Sequence, residues 1–413
     1  MPYSLLEAKP IEELCKVVDC EHKTAPYVDE SDYLVVRTSN VRDGQLVMES
    51  MKYTTLEGYN EWTSRAVPEY GDVLFTREAP AGESCLVPSD TKVCMGQRMV
   101  MLRPHKSEVD PVFLSMILNT ERTKNDIYRL SIGSTVSRIN IADIRKLKVA
   151  SPPLPEQQKI AKILSTWDRA ISTTERLIEN STEQKKALMQ QLLTGKKRLL
   201  DESGKRFEGE WEEVTLGECI NHTGGTALEK HVKDGASHHF ISIGNYSVDG
   251  RYIDKSQRVE FNDKTKTKLL NKNDLVMVLN DKTKTGDIIG STILIDEDNK
   301  YIYNQRSERI VCSEGTDVLF FWFLLNSTPV RADVFGRSQG GTQIYVNFGA
   351  LKSIVLYLPP FEEQQKIATL LTNADKEIEL LEQQLADLQQ EKKALMQVLL
   401  TGKVRVVVDG EDV

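Results

Sequence analysis

The sequence Glu-Gln-Gln-Lys-Ile-Ala occupies residues 156–161 and returns unchanged at residues 363–368, an offset of 207 (363 minus 156). Lys-Lys-Ala-Leu-Met-Gln at residues 185–190 and Leu-Thr-Gly-Lys at residues 193–196 return at the same offset. The chain has 413 residues, so this offset is half of its length. A period this long exceeds any solenoid repeat, and it indicates duplication of a globular region together with the segment that follows it.

In both copies of the repeated segment, mostly apolar residues recur at alternating spacings of three and four, which is the pattern of a coiled-coil seam. The first seam is Leu164, Trp167, Ile171, Thr174, Ile178, Ser181, Lys185, Leu188 and Leu192. The second is Leu371, Ala374, Ile378, Leu381, Leu385, Leu388, Lys392, Leu395 and Leu399. Pro-Pro pairs precede both helices and Gly195 and Gly402 follow them, as expected for helix boundaries.

A single helix with one apolar stripe is marginally stable in water, so the two helices are expected to pair with each other. The first helix ends at Gly195, and a short link leads directly into the second globular region. Antiparallel pairing allows this connection without the chain doubling back. The sequence therefore predicts a spacer of roughly 55–60 Å with one globular region at each end.

The two globular regions share an order of elements but little identity. Strands are predicted at residues 33–36, 72–75, 98–102, 211–216, 240–243, 274–278 and 308–312, and apolar helices at residues 111–120 and 318–327. Asn140 and Asn347, again 207 apart, are predicted helix N-caps. The predicted fold class is α+β, with two α+β domains, two long helices and a pseudo-two-fold internal repeat.

Composition is typical of a globular protein, with 40% hydrophobic and 28% charged residues. No apolar run is long enough to span a bilayer, and the N-terminus lacks the pattern of a signal peptide. We therefore expect a cytoplasmic protein without a membrane partner. The six cysteines form no Cys-x-x-Cys pair and no histidines stand at zinc spacing beside them, so buried thiols, no metal and no cofactor are predicted.

The net charge of −8 argues weakly against nucleic acid, because phosphate binding needs a local excess of Lys and Arg. Such an excess is present in the second globular region, at Lys264, Lys266 and Lys268. This spacing places three ammonium groups on one face if the segment is extended. The alternative is a solvated edge strand that is protected from aggregation by its charges.

Identity between the helices extends beyond the seam. Six residues off the central seam are predicted to dock a partner twice: Lys186, Met189, Gln190, Lys393, Met396 and Gln397. Pairing of the helices does not require these matches, so two copies of one surface suggest two copies of one partner. Gene conversion of the helical segment is the alternative explanation.

On these motifs the chain resembles the DNA-specificity subunit of Type I restriction–modification systems. The resemblance covers nearly the whole length. It is carried by the Glu-Gln-Gln-Lys-Ile motifs, by both Leu-Leu-Thr-Gly-Lys helix ends, and by Gly-Ser-Thr-Val-Ser-Arg-Ile at residues 133–139. The ordered set at a fixed offset is specific, whereas each motif alone is weak. Tyr345 stands where Arg138 would be expected to recur, which is a departure from the family pattern.

The resemblance implies a target-recognition domain at residues 1–151, a spacer helix at 152–196, a second recognition domain at 197–358, a second spacer helix at 359–403 and a tail at 404–413. It implies double-stranded DNA and two methyltransferase subunits as partners, and it allows ATP-dependent restriction subunits in the complete system. Each recognition domain would read one half of an asymmetric split target. The expected DNA contacts are Arg98, Thr135, Ser137, Arg138, Lys264, Lys266, Lys268, Lys282, Arg306, Gln343 and Tyr345.

The chain itself is predicted not to be an enzyme. The Pro-Pro pairs at residues 152–153 and 359–360 lack the preceding Asn or Asp of an adenine methyltransferase motif, and no Gly-x-x-x-x-Gly-Lys-Ser/Thr phosphate loop is present. In this interpretation the complete complex carries the adenine-specific methylation and the ATP-dependent cleavage. An enzyme with unrecognised motifs and a coiled-coil scaffold without a DNA role are the competing hypotheses.

Overall fold

The computed structural model describes residues 6–133, 137–201 and 203–407. Thr135, one of the expected DNA contacts, therefore lies outside the described residues. The chain forms two compact units. Unit 1 consists of Met1–Glu175 with Gln384–Val413, and unit 2 of Arg176–Gln383. Each unit combines one globular region with parts of both long helices.

Unit 1 contains short strands, short helices and part of each long helix. Its strands are β1 (Ala8–Pro10), β2 (Cys15–Asp19), β3 (Tyr33–Val36), β4 (Val41–Arg42), β5 (Gln45–Leu46), β6 (Lys52–Thr54), β7 (Val73–Thr76), β8 (Ser84–Leu86), β9 (Lys92–Met95), β10 (Met99–Pro104) and β11 (Lys148–Ala150). Its helices before the first long one are α1 (Ile11–Leu14), α2 (Leu56–Trp62), α3 (Pro111–Leu118), α4 (Glu121–Leu130) and α5 (Ile141–Lys146).

The centre of unit 1 is a four-stranded sheet in the order β2-β10-β7-β8. The strands β7 and β10 are continuous apolar runs because they are covered on both faces, and every residue of β7 is buried. A three-stranded sheet, β6-β3-β9, contains the parallel pair β3–β9. The strand order, with its crossovers, could not be read from the sequence.

Unit 2 repeats this architecture after the link. Its strands are β12 (Glu212–Thr215), β13 (Ile220–Gly224), β14 (His238–Ile241), β15 (Arg258–Val259), β16 (Leu275–Val278), β17 (Asn280–Asp281), β18 (Thr292–Leu294), β19 (Tyr301–Tyr303), β20 (Ser307–Cys312), β21 (Ile344–Tyr345) and β22 (Val355–Leu358). Its short helices are α7 (Val318–Leu325), α8 (Thr328–Gly336) and α9 (Phe348–Leu351).

The sheets of unit 2 match those of unit 1. The order β13-β20-β16-β18 corresponds to β2-β10-β7-β8, and β15-β14-β19 corresponds to β6-β3-β9, including its parallel pair. The prediction of one α+β fold used twice is therefore confirmed. Asn140 and Asn347 both occupy N-cap positions, of α5 and α9, as predicted. The Asn347 side chain accepts the Gly349 N–H, whereas the Asn140 side chain donates to Asp143.

The long helices are α6 (Leu154–Leu192) and α10 (Phe361–Leu399), each of 39 residues. In unit 1 the ammonium of Lys392 binds the carboxylate of Asp168. In unit 2 the Lys185 ammonium lies 2.6 Å from the Asp375 carboxylate. Both ion pairs join an early residue of one helix to a late residue of the other, so the pairing is antiparallel, as predicted.

A heptad seam predicts that its residues are buried against the partner helix, and the first residue, Leu164, is fully buried, but the next two are not. Trp167 and Ile171 are half-buried rather than buried, whereas Thr174 is 5% exposed. The Thr174 hydroxyl donates to the Ala170 carbonyl one turn earlier, which satisfies this polar group inside the seam.

Several of the repeated residues have structural roles inside their own unit. Arg198 forms a bidentate ion pair with Glu363, at 2.7 and 2.6 Å, and Arg405 pairs with Glu156 in the equivalent place. The buried Gln157 side chain receives the Asp110 N–H at 2.9 Å and donates to backbone carbonyls. Much of the duplicated sequence therefore preserves the attachment of helices to globular regions.

In the described parts of the chain, no helix is both long and apolar enough to cross a membrane.

Candidate nucleic-acid interface

The turn between β9 and β10 presents Gln97 and Arg98 to solvent in unit 1. Arg98 has a φ of +69°, in the left-handed region that side chains other than glycine rarely adopt. Such a conformation costs on the order of 1 kcal/mol or more, and strained residues concentrate at functional sites. The Arg98 backbone carbonyl accepts the Arg77 N–H at 2.8 Å, which fixes the turn to the end of β7.

Glu78 joins Arg98 to Arg138. Its carboxylate lies 3.1 Å from the Nε of Arg98 and 3.4 Å from the Nε of Arg138. The two guanidinium groups are more than half exposed, at 55% and 56%, whereas the Glu78 side chain is 18% exposed. The structure therefore brings together two of the expected contacts, which are 40 positions apart in sequence (138 minus 98). Ser137, half-buried, precedes Arg138.

Unit 2 has the same arrangement of backbone hydrogen bonds around this site, here called the backbone frame, but it carries different side chains. The Leu279 N–H donates to the Arg306 carbonyl at 2.9 Å, as Arg77 does to Arg98. Asn280 pairs with Tyr345 across β17 and β21, as Glu78 pairs with Arg138. The exposed Gln305-Arg306 turn thus corresponds to Gln97-Arg98.

Lys268 lies beside this frame. Its ammonium donates to the Gly224 carbonyl at 2.6 Å and lies 5.7 Å from the centre of the Tyr303 ring. Since Gly224 pairs with Glu308 on β20, the Lys268 cation is held close to the strand that follows Arg306.

The expected extended arrangement of the lysines is wrong. Thr265–Lys268 forms a 3₁₀ turn. The side-chain oxygen of Asn262 starts this turn by accepting the N–H groups of Lys264 and Thr265. Lys264 and Lys266 are exposed on this turn, and Lys268 is half-buried. An Asn followed by Asp and Lys is typical of a turn, and the prediction of an extended segment did not take this signal into account.

Lys282 lies in an exposed loop directly after β17. The buried Asp281 organises this loop by accepting the N–H groups of Thr283, at 2.8 Å, and Ile288, at 2.9 Å. Burial acts to raise the pKa of Asp281, but these hydrogen bonds outweigh it and hold the pKa below its usual value. The carboxylate is therefore ionised at neutral pH, and the loop that it organises carries two exposed lysines, Lys282 and Lys284.

Gln343 and Tyr345 are both exposed at the start of β21. The preceding turn requires Gly340, which has a φ of +112° and whose added Cβ would lie 2.1 Å from the Gln343 carbonyl oxygen. Residues 340–342 therefore form a tight connection between Gln339 and Tyr345, which pair with each other. The Tyr345 hydroxyl lies 3.4 Å from the Gln339 side chain.

One group within the described ranges brings three possible metal ligands together. Asp19, Cys20 and His22 have ligand atoms within 4.8 Å of one another. The Asp19 carboxylate, however, already receives the Arg77 guanidinium at 3.3 Å and the His22 ring at 3.0 Å. A fixed guanidinium opposes a second cation at the same carboxylate, so this group carries no metal assignment.

The six expected docking residues divide into two classes. Lys186, Gln190, Lys393 and Gln397 are exposed on the long helices. Met189 and Met396 are half-buried and pack against the cores of units 2 and 1, respectively. The docking surface remains a prediction, and it depends on the four exposed residues.

Sequence reasoning missed Glu78 and Asn280. Both follow a buried strand, but acidic and amide residues commonly end strands, and nothing in the sequence distinguishes these two. The repeated Gln-Arg pair at residues 97–98 and 305–306 was the available signal for the position of the frame.

Comparison with known proteins supports this view of a duplicated module. The family model described as "Type I restriction modification DNA specificity domain" matches twice, at residues 4–182 and 208–390. A putative type I restriction enzyme MjaX specificity subunit of Methanocaldococcus jannaschii is 26% identical, over 97% of this chain and 94% of that protein. The MjaVIII specificity subunit of the same organism is 29% identical, over 93% and 89%.

A similar fold occurs in the crystal structure of the S subunit of a Type I restriction-modification system from M. genitalium. The TM-score is 0.58 at 16% identity, with 97% of each chain covered. Together with the two matches of the family model, which span most of the chain, the comparisons lead to one assignment. The chain belongs to the family of Type I restriction–modification DNA specificity subunits.

Proposed function

We propose that this chain is the non-catalytic subunit that reads a split, asymmetric DNA sequence for a Type I restriction–modification complex. Each unit would read one half-site, and the complete complex would supply adenine methylation and ATP-dependent cleavage. The expected partners are double-stranded DNA, two methyltransferase subunits and, where the system includes them, restriction subunits. A cytoplasmic location follows from access to cellular DNA.

The observation that carries this proposal is one backbone frame that bears two different sets of side chains. Unit 1 offers Arg98 and Arg138 around Glu78, whereas unit 2 offers Arg306 and Tyr345 beside a neutral Asn280. Base identity is read by side chains whose donors and acceptors match the groove edges. Two equivalent frames with unlike side chains therefore favour two unlike half-sites.

We further propose that the long helices set the spacing between half-sites. The helices α6 and α10 are both shared between units 1 and 2, so their length contributes to the geometry of both. A fixed protein geometry selects a fixed separation of half-sites along a duplex.

The methyltransferase subunits would dock on the exposed repeated residues. Unit 2 contributes Lys186 and Gln190, and unit 1 contributes Lys393 and Gln397, so each unit offers one copy of the surface. Charge reversal in one copy, Lys186→Glu with Gln190→Glu, should reduce co-purifying methyltransferase from two copies to one. The matched control Lys230→Glu changes an exposed residue of unit 2 away from both helices. Retention of two copies would reject this surface.

DNA binding tests the central proposal and the scaffold alternative together. The purified full chain, with its methyltransferase subunits, is incubated with a pool of duplexes randomised over about 20 positions. The retained molecules are sequenced. We expect two unlike short motifs separated by a constant gap, with affinity that falls as salt rises. A scaffold without a DNA role would enrich no motif, and S-adenosylmethionine turnover by the isolated chain would favour the enzyme alternative.

A further inference from the structure

In unit 1 the two exposed guanidinium groups at the candidate DNA face share one carboxylate. Arg98 belongs to the turn between β9 and β10, and Arg138 follows residues 134–136 on another segment. Backbone hydrogen bonds link both segments to the end of β7: Arg77 donates to the Arg98 carbonyl, and Ile139 donates to the Arg77 carbonyl. Glu78, the next residue, is therefore placed between them by the backbone rather than by a flexible side chain.

In both ion pairs the closest arginine atom is Nε rather than a terminal Nη nitrogen. Glu78 is nearest to the Nε of both arginines, at 3.1 Å and 3.4 Å. The pair of Nη nitrogens provides the parallel N–H groups that bind O6 and N7 of guanine. A carboxylate at Nε restricts the orientation of the guanidinium plane while the Nη fork remains the part that can meet a base.

Charge gives a second reason for Glu78. Two arginines alone would carry two positive charges, and free guanidinium groups bind the phosphates of DNA whatever its base sequence. The carboxylate reduces the local charge by one and, at 18% side-chain exposure, is less screened by solvent than the arginines are. It therefore weakens sequence-independent attraction and opposes phosphate more than it opposes a base edge.

Unit 2 provides the natural comparison. Asn280 occupies the equivalent place beside Tyr345, and it is uncharged. Arg306 is exposed at the position of Arg98, and the carboxylate near it comes from a different segment: Glu229 accepts the Gln305 side-chain amide at 3.1 Å, while the residue that pairs with Tyr345 is the neutral Asn280. The two units therefore share a backbone frame, but the residue at its centre is a carboxylate, Glu78, in unit 1 and a neutral amide, Asn280, in unit 2.

We propose that Glu78 is a positioning and specificity-determining residue of unit 1. It orients Arg98 and Arg138 for bidentate contact with guanine edges and suppresses their binding to phosphate at other sequences. This inference rests on the proposed function. It adds that the half-site of unit 1 contains guanine and that its selectivity depends on the negative charge of Glu78, which the equivalent Asn280 of unit 2 lacks.

Three full-length variants test the inference with the randomised duplex pool. Glu78→Gln keeps the shape and removes the charge. Glu78→Asp keeps the charge and shortens the reach to both arginines. Asn280→Ala is the matched control at the equivalent position of unit 2. For each variant, the enriched sequences, the affinity for a random duplex and its salt dependence are measured, with melting temperature as the test of folding.

We expect Glu78→Gln to bind random duplex roughly three- to fivefold more tightly, the range of one exposed ion pair. Its affinity should fall more steeply with salt, by about one to two in the log–log slope. The guanine-containing motif should lose definition, while the motif of unit 2 stays sharp. Glu78→Asp should blur the same motif without tightening random binding, and Asn280→Ala should leave the motif of unit 1 unchanged.

An unchanged motif and unchanged random-duplex affinity in Glu78→Gln would overturn the inference while leaving the proposed function intact. Weaker binding to random duplex would also overturn it, because Glu78 would then be only a structural support. If Glu78→Gln does not fold, Glu78→Asp decides: a blurred motif of unit 1 supports the inference, and a sharp one rejects it. A wild-type chain that enriches no split motif would reject the proposed function itself.

Discussion

Glu363 shows how a single repeated residue holds a helix to its unit. Its side chain is fully buried, and Arg198 neutralises it with a bidentate ion pair. Removing one partner of a buried pair leaves an uncompensated charge, which is far more costly than removing both. Glu156 and Arg405 repeat the arrangement in unit 1.

We expect Arg198→Met to destabilise unit 2 by about 3 kcal/mol, because the Glu363 carboxylate is left buried and unpaired. Hydrogen exchange should rise at the start of α10 and in the core of unit 2, with unit 1 unaffected. Arg198→Met combined with Glu363→Gln should recover part of the loss. Equal destabilisation of the single and double variants would contradict a role for the buried charge. Arg405→Met is the matched variant for unit 1.

The cysteines give a pH-dependent prediction. Burial raises the pKa of Cys15, Cys85 and Cys94 from 9.0 to about 12, so their thiols are protonated at pH 8. Because the thiolate is the reactive form, iodoacetamide should modify these residues in urea but not in the native protein, as measured by mass spectrometry. A folded-state pKa above the unfolded value also means that stability is retained below pH 9 and declines from pH 9 toward 12. Rapid modification at pH 8 would show that the thiols are accessible.

At the scale of elements, the loop after β17 depends on Asp281. Its carboxylate accepts two backbone N–H groups and the Thr283 hydroxyl, and its pKa is held below 3.8 by these bonds despite burial. This contribution to stability is present above about pH 4 and is lost as the pH falls through the lowered pKa. The fixed conformation of the loop that carries Lys282 and Lys284 therefore depends on one acidic side chain.

Asp281→Asn should weaken DNA binding roughly fivefold, because the loop must be ordered at the moment of binding. The variant should keep its melting temperature within a few degrees, since the change is local. Asp234→Asn, at an exposed position of unit 2, is the control that removes the same charge. Equal gains or losses in affinity for both variants would attribute the effect to net charge rather than to the loop.

Elements with a strong local pattern were predictable from the sequence. The buried strands at residues 73–76 and 275–278, helix α3, helix α7 and both long helices lie where the sequence pattern placed them. The 3₁₀ turn at Thr265–Lys268 was not predicted, because three lysines at alternate positions fit a strand as well as a turn. The contact between Glu78 and two arginines depends on three segments that are distant in sequence, and such a site requires the tertiary structure.

Three separate signals in the sequence predicted the arrangement of the chain: the repeat predicted two copies of one domain, the strand and helix patterns predicted their α+β class, and the short link after Gly195 predicted antiparallel helices. The division into units differs from the division by sequence, since each unit contains the end of the other half's helix. Leu192 and Leu193 lie in the core of unit 2, and Leu399 and Leu400 lie in the core of unit 1. No local pattern reveals that the helix ends are core residues of the opposite half.

The spacer is tested by removing seven residues between Ile171 and Lys185 together with the seven matching residues of the second helix. This keeps the heptad frame and shortens the helices by about 10 Å, or about three base pairs at 3.4 Å each. We expect the same two half-site motifs from a randomised pool, with a gap that is about three bases smaller. Deletion of seven residues from one helix alone is the control and should disrupt pairing. An unchanged gap would mean that the helices serve subunit docking only.

The exchange of helix ends has a consequence for synthesis of the chain. Unit 2 is one continuous segment, Arg176–Gln383, whereas unit 1 needs Gln384–Val413, which is translated after all of unit 2. The nascent chain therefore carries an unfinished unit 1, without Leu399 and Leu400, until the whole of unit 2 has been translated. Domains usually fold from the N-terminus during synthesis, but here the second globular region can close first. A released chain that ends at residue 383 should contain a protease-resistant unit 2 and a protease-sensitive unit 1, so chaperone dependence should be concentrated in the half that is made first.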